Sequence, residues 1–250
     1  MPKIISGKAV TECRMIVFDR NGTLIDLRPF LLSLGKARLE SLSKRVGAQI
    51  IDLWEKAVGI NLECGWIDYD GPLATSPQRE ETLVTASTVY QCGYSWSEAK
   101  AIAQEAYDLA DESLKPCCCY ALFEGTMDKL EQLKSEGLKL AIATTDSHRR
   151  TEESLRFLGI TRFFDVIVGG DDVENPKPAP DMVLEACRQT GCAPSETVVV
   201  GDSLSDMKMG KNAKVKRCIG VLTGFTSKDV LQQAADVTIE SVTELKVKRQ

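Results

Sequence analysis

The chain has 250 residues, a length for one sizeable core or for a core with a smaller accessory domain. Its 43% hydrophobic and 27% charged residues are ordinary for a globular protein, and a net charge of −5 with a pI near 5.2 offers no basic field for nucleic acid. No stretch reaches the roughly 18 apolar residues of a membrane span, and the N-terminal segment has no apolar core before a cleavage site. The expectation is a soluble, cytoplasmic protein, monomer or homodimer, with no nucleic-acid or membrane partner.

Met15–Phe18 reads as a buried strand, because an unbroken apolar run suits a sheet covered on both faces. From about residue 28 to 118 the patterns are helical, over Phe30–Val46, Ala48–Val58, Arg79–Gln91 and Ser97–Leu114. Ser97 followed by Glu98 is the expected start of the last of these helices. Glycine, proline and aspartate break the run between Trp66 and Pro72. Thr126–Ser135 then places Met127, Leu130 and Leu133 at helical spacing and stops at Gly137. Leu138–Ala143, Val166–Val168 and Val198–Val200 read as strands, with Cys218–Leu222 and Val237–Ile239 weaker. Asp181–Thr190 reads as a helix ending near Gly191.

This alternation predicts an α/β protein with a doubly wound parallel sheet. Residues 1–27 and 119–250 would form the core and residues 28–118 a helical insertion after the first strand. Nine scattered cysteines, an odd number, favour reduced thiols over a disulfide framework. Cys117, Cys118 and Cys119 lack the paired spacing of a zinc site and are expected as small apolar fillers near a hinge.

Four segments carry polar chemistry at strand ends or in loops. Phe18-Asp19-Arg20-Asn21-Gly22-Thr23 delivers a carboxylate where open α/β sheets bind ligands, although Asp followed by Asn-Gly is also a common turn. Ala143-Thr144-Thr145-Asp146 places a hydroxyl at the end of a second strand. Asn175-Pro176-Lys177-Pro178 fixes a lysine in a stiff loop. Gly201-Asp202-Ser203-Leu204-Ser205-Asp206 supplies an acidic pair. Nucleophilic carboxylate, hydroxyl, lysine and metal-binding acids are what in-line phosphoryl transfer to Asp needs.

These motifs, in this order, resemble the haloacid dehalogenase-like (HAD) superfamily of hydrolases, in its phosphoglycolate phosphatase-like branch with a helical cap. The resemblance runs over about residues 14 to 245 and implies a Rossmann-like core with the cap inserted after the first strand. It implies Mg²⁺-dependent hydrolysis of a small phosphorylated metabolite through an aspartyl-phosphate. Asp19 then matches the nucleophile, Thr144 with the Thr145 backbone N–H the phosphate-binding group, and Lys177 the charge-neutralising lysine. Asp19, Asp202 and the Asn21 backbone carbonyl match metal ligands, and Asp206 an acid that steadies the metal.

One position departs from the pattern. Phosphatases of the family usually carry Asp where this chain has Asn21, and an amide cannot exchange a proton. Asn21 could be a changed residue in an ordinary phosphatase, or a native one in a weak homologue that binds a phosphorylated ligand without turnover. Alternatively the reaction needs no acid, as in relatives that hydrolyse phosphonates or carbon–halogen bonds. In the insertion, Trp54, Trp66 and Trp96 are expected as packing residues and Arg79 as a surface ion-pair partner.

Overall fold

A computed structural model describes residues 2–68, 71–114 and 120–248. The segment holding Cys117, Cys118 and Cys119 lies outside the described residues, as does the Tyr69-Asp70 part of the predicted break. The chain divides into two compact units, Met1–Asp26 with Tyr120–Gln250, and Leu27–Cys119.

The first unit begins with β1 (Lys3–Ser6), β2 (Ala9–Glu12), β3 (Met15–Phe18) and β4 (Ile25–Asp26). The helical unit contributes β5 (Ile60–Asn61) and β6 (Trp66–Ile67), a short antiparallel pair. After it come β7 (Ala121–Leu122), β8 (Lys139–Ala143), β9 (Val166–Val168), β10 (Thr197–Gly201), β11 (Arg217–Val221), β12 (Val237–Ile239) and β13 (Lys246–Lys248). The central sheet is parallel, with the order β12-β11-β10-β3-β8-β9.

Successive residues of β3 point to opposite faces, yet all of Met15, Ile16, Val17 and Phe18 are fully buried. Both faces are therefore covered, which is why these strands carry no polar alternation. On one face Met182, Val183, Ala186 and Cys187 pack with Met15, Val17, Ala141, Ala143 and Val199. A separate three-stranded antiparallel sheet, β13-β1-β2, was not expected from the sequence. Its hairpin turns at Gly7, whose φ of +56° is open to glycine at little cost.

Ten helices are described. The helical unit holds α1 (Arg28–Val46), α2 (Ile51–Val58), α3 (Pro72–Thr75), α4 (Gln78–Gln91) and α5 (Trp96–Ser113). The first unit holds α6 (Thr126–Ser135), α7 (His148–Phe157), α8 (Asp181–Thr190), α9 (Leu204–Asn212) and α10 (Lys228–Ala234). The start of α5 differs from expectation: Ser95, not Ser97, is its cap, accepting from the Glu98 N–H while Glu98 accepts from the Ser95 N–H.

The expected packing role of the tryptophans holds for Trp54 and in part for Trp96, whose ring meets that of Tyr90 edge to face. Trp54 is fully buried and donates to Thr85, whereas Trp66 and Trp96 are exposed. Arg79 is exposed and forms no ion pair among the described residues. No helix among the described residues is long and apolar enough to cross a membrane.

Candidate active site

The β3 strand runs to Asp19, whose N–H donates to the Val200 carbonyl of β10. β8 and β10 flank β3 on either side. Asp19, Thr144 and Asp202 therefore emerge at the carboxyl ends of three adjacent strands. The chain winds from β3 to β8 and β9 in one direction and from β10 to β11 and β12 in the other. That reversal is the topological switch point where open α/β sheets bind ligands.

Three carboxylates converge here, with oxygens of Asp19, Asp202 and Asp206 all within 4.8 Å of one another. Lys177 lies between two of them, its Nζ 2.5 Å from Asp19 Oδ1 and 2.6 Å from Asp206 Oδ1. Burial alone would lower the Lys177 pKa, but the Asp19 and Asp206 carboxylates outweigh it and hold the ammonium charged. Asp206 is fully buried, and its Oδ2 accepts from the Ser203 hydroxyl at 2.6 Å and from the Ser203 N–H at 3.0 Å, at the start of α9. Ser203 thus fixes Asp206, and Asp206 fixes Lys177 against Asp19.

Asp202 is less compensated. It accepts from the Thr23 hydroxyl at 3.1 Å, and burial followed by repulsion from Asp19 and Asp206 pushes its pKa well up. Burial likewise raises Asp19, against the pull of Lys177. The site therefore carries more negative charge than its one ammonium offsets. An all-oxygen donor set with this surplus fits a hard divalent cation such as Mg²⁺, with Asp19 and Asp202 available to hold it.

Glycine keeps the space around Asp202 open. Gly22 turns the loop at a φ of +76°, and a Cβ there would lie 2.5 Å from Asp202 Oδ2. A Cβ on Gly224, a residue that drew no attention in the sequence, would collide with the same carboxylate. The Thr223 hydroxyl donates to the Gly22 carbonyl at 2.6 Å, tying the two loops together.

Thr144 is buried and its hydroxyl accepts from the Asp146 N–H at 3.3 Å, while Thr145 is exposed. Asn21 is partly buried, and its side-chain oxygen accepts from Arg20 Nε at 3.0 Å. Arg20 is only 1% exposed and extends to Ser154 Oγ at 3.1 Å and to Asp146 Oδ2 at 2.8 Å. Neither Arg20 nor Asp146 stood out in the sequence. An arginine two positions past a buried strand was a usable signal, since such a side chain is seldom buried without a partner. His148, the single histidine, pairs with Asp172 at 2.6 Å at a half-exposed position.

The family profile described as haloacid dehalogenase-like hydrolase matches residues 83–220. The chain is 30% identical over 223 residues to the pyrophosphatase PpaX of Bacillus velezensis, covering 85% of this chain and 83% of that protein. The PpaX of Halalkalibacterium halodurans is 41% identical over a shorter 97 residues, which span 39% of this chain and 45% of that protein. The phosphorylated carbohydrates phosphatase of Thermotoga maritima is 27% identical over 224 residues, 90% of this chain and 92% of its own. In fold the chain is similar to a HAD-superfamily hydrolase of subfamily IA from Geobacter sulfurreducens. That match has a TM-score of 0.63 at 19% identity, over 93% of this chain and 94% of the other. The chain belongs to the haloacid dehalogenase-like hydrolase family and is an enzyme of its phosphohydrolase branch.

Proposed function

We propose that this enzyme removes the phosphoryl group of a small phosphorylated metabolite, with Asp19 as nucleophile. The observation that carries the reading is the Asp19 carboxylate gripped by Lys177 inside an acidic cluster at the sheet's switch point. Lys177 orients one Asp19 oxygen and offsets charge as the phosphate approaches. Thr144, with the Thr145 N–H, would bind the phosphoryl oxygens. Asp19, Asp202 and the Asn21 carbonyl would hold Mg²⁺, with Asp206 as its outer acidic partner. The ion would supply charge stabilisation for the transferring phosphoryl group.

The names of the relatives, a pyrophosphatase and a phosphorylated-carbohydrate phosphatase, support a small phosphorylated substrate. The unit Leu27–Cys119 occupies the place in the chain of the family's cap, and we assign it the choice of substrate. Free thiols at all six described cysteines fit a reducing, cytoplasmic setting.

A second reading rests on Asn21. A chain that kept the site but lost proton exchange would bind a phosphorylated ligand without turning it over. Phosphate release from a broad substrate panel, with and without Mg²⁺, separates the two. The phosphatase reading expects Mg²⁺-dependent release that Asn21→Asp increases and Asp19→Asn abolishes. Tight Mg²⁺-dependent binding with no release from either the chain or Asn21→Asp would establish the second reading instead.

A further inference from the structure

Position 21 holds a side chain that cannot exchange a proton, and the geometry around it restricts the substrates the site can use. Arg20 Nε is only ever a donor, so the Asn21 atom 3.0 Å from it must be the amide oxygen. The amide nitrogen therefore faces away from the guanidinium and has no partner among the described residues. Arg20 cannot swing aside easily, because Ser154 and Asp146 hold its other nitrogens in a buried setting. Asn21 is thus a fixed neutral donor two residues after the nucleophile.

The neighbouring groups are already committed. Lys177 bridges Asp19 and Asp206, Ser203 occupies the second oxygen of Asp206, and Thr23 donates to Asp202. The chain's single histidine is bound to Asp172. Each of these groups thus already has a hydrogen-bonding or ion-pair partner.

We propose that the site selects phosphoryl donors by their leaving group. It acts on phosphoric anhydrides, acyl phosphates and aryl phosphates, and poorly on alkyl phosphates. The inference rests on the phosphatase reading above. In the first step an Asp19 oxygen bonds to phosphorus, the bond to the leaving oxygen breaks, and the electron pair departs on that oxygen. An alkoxide is about as strong a base as hydroxide, so it needs a proton in that step. A phosphate leaves as an anion whose conjugate acid has a pKa of roughly 6 and needs only the hydrogen bond that an amide N–H gives.

In the second step water bonds to phosphorus, the bond to Asp19 breaks, and the water proton passes to the released phosphate. That step is common to every substrate. Leaving-group discrimination therefore belongs in kcat/KM and is muted in kcat.

The test is steady-state kinetics with Mg²⁺ on pyrophosphate, acetyl phosphate, aryl phosphates of graded leaving-group basicity, and glycerol phosphate. Intact mass confirms that residue 21 has not deamidated. The expected kcat/KM for glycerol phosphate is lower than for the best aryl phosphate by on the order of 10²–10⁴, the usual worth of general acid catalysis. Asn21→Asp should narrow that gap by raising the alkyl substrate selectively. Alkyl and aryl substrates within about tenfold of each other in kcat/KM, or an equal rise in kcat/KM for all substrates in Asn21→Asp, would overturn the inference and leave the phosphatase reading standing. No phosphate release from any substrate, in the chain or in Asn21→Asp, would remove both.

Discussion

Arg20 stands between Asp19 and Asn21 in sequence, and its guanidinium reaches Asp146, 126 residues further on. It joins the loop after β3 to the loop after β8, where Thr144 lies. Asp19, Lys177 and the acidic pair Asp202 and Asp206 were legible as a cluster because each sits at a strand end or in a stiff loop beside a recognisable motif. Arg20 and Asp146 were less so, because an arginine near a buried strand end signals that a partner is needed but no local pattern records which residue it is. Replacing Arg20 with Met would take the guanidinium bonds from Asp146 Oδ2, the Asn21 amide oxygen and Ser154, and leave Asp146 only the Ser147 N–H and the exposed Arg150. A hydrogen bond to a charged group is worth about 1.5–3 kcal/mol, and Asp146, at 20% side-chain exposure, keeps some solvation. Urea denaturation should therefore show Arg20→Met less stable by about 1–3 kcal/mol. A loss below about 0.5 kcal/mol, the range of an ordinary surface substitution, would contradict the clamp.

Among the elements, the strands of the central sheet were the most legible, since β3, β9 and β12 keep the predicted bounds and the others shift only at their ends. Three helices of the first unit escaped notice for a common reason. The face that α7 buries is made of Thr151, Ser154 and Leu155, and α9 buries Asp206 and Gly210 beside two methionines, so neither shows an apolar stripe. The third, α10, buries Leu231 alone. Inside the helical unit the core is also partly polar. Glu81 of α4 accepts from Arg38 of α1 at 2.5 Å and from Tyr107 of α5 at 2.8 Å, and Arg38 lies over the Tyr107 ring.

Burial pushes the Glu81 carboxyl above its ordinary 4.5, against the opposing pull of Arg38 and Tyr107. A raised folded-state pKa means that the folded form holds the proton more tightly than the unfolded form. Glu81 thus favours folding below pH 4.5, and this contribution is lost as the pH rises through the folded value. Glu81→Gln, which cannot ionise, should flatten that part of the stability–pH curve in thermal melts. An unchanged curve would contradict the buried setting of Glu81.

At the scale of the molecule, the sheet needs no polar residue of its own to make a site, because its winding reverses at β3 and leaves three strand ends side by side. The acidic cluster, its lysine and the glycines around Asp202 are assembled by that reversal from segments far apart in the chain. The N-terminal hairpin and β13 add a second sheet whose strands are too short to announce themselves by periodicity, though Gly7 marks the turn. In the proposed function this assembly makes Asp19 a phosphoryl acceptor. The most direct measurement is mass spectrometry of the peptide holding Asp19, after acid quench of the Mg²⁺-loaded enzyme turning over acetyl phosphate. One added phosphoryl group on Asp19 is expected in the chain as given and none in Asp19→Asn. Phosphate release with Asp19 unmodified at every quench time, or release that survives Asp19→Asn, would contradict it.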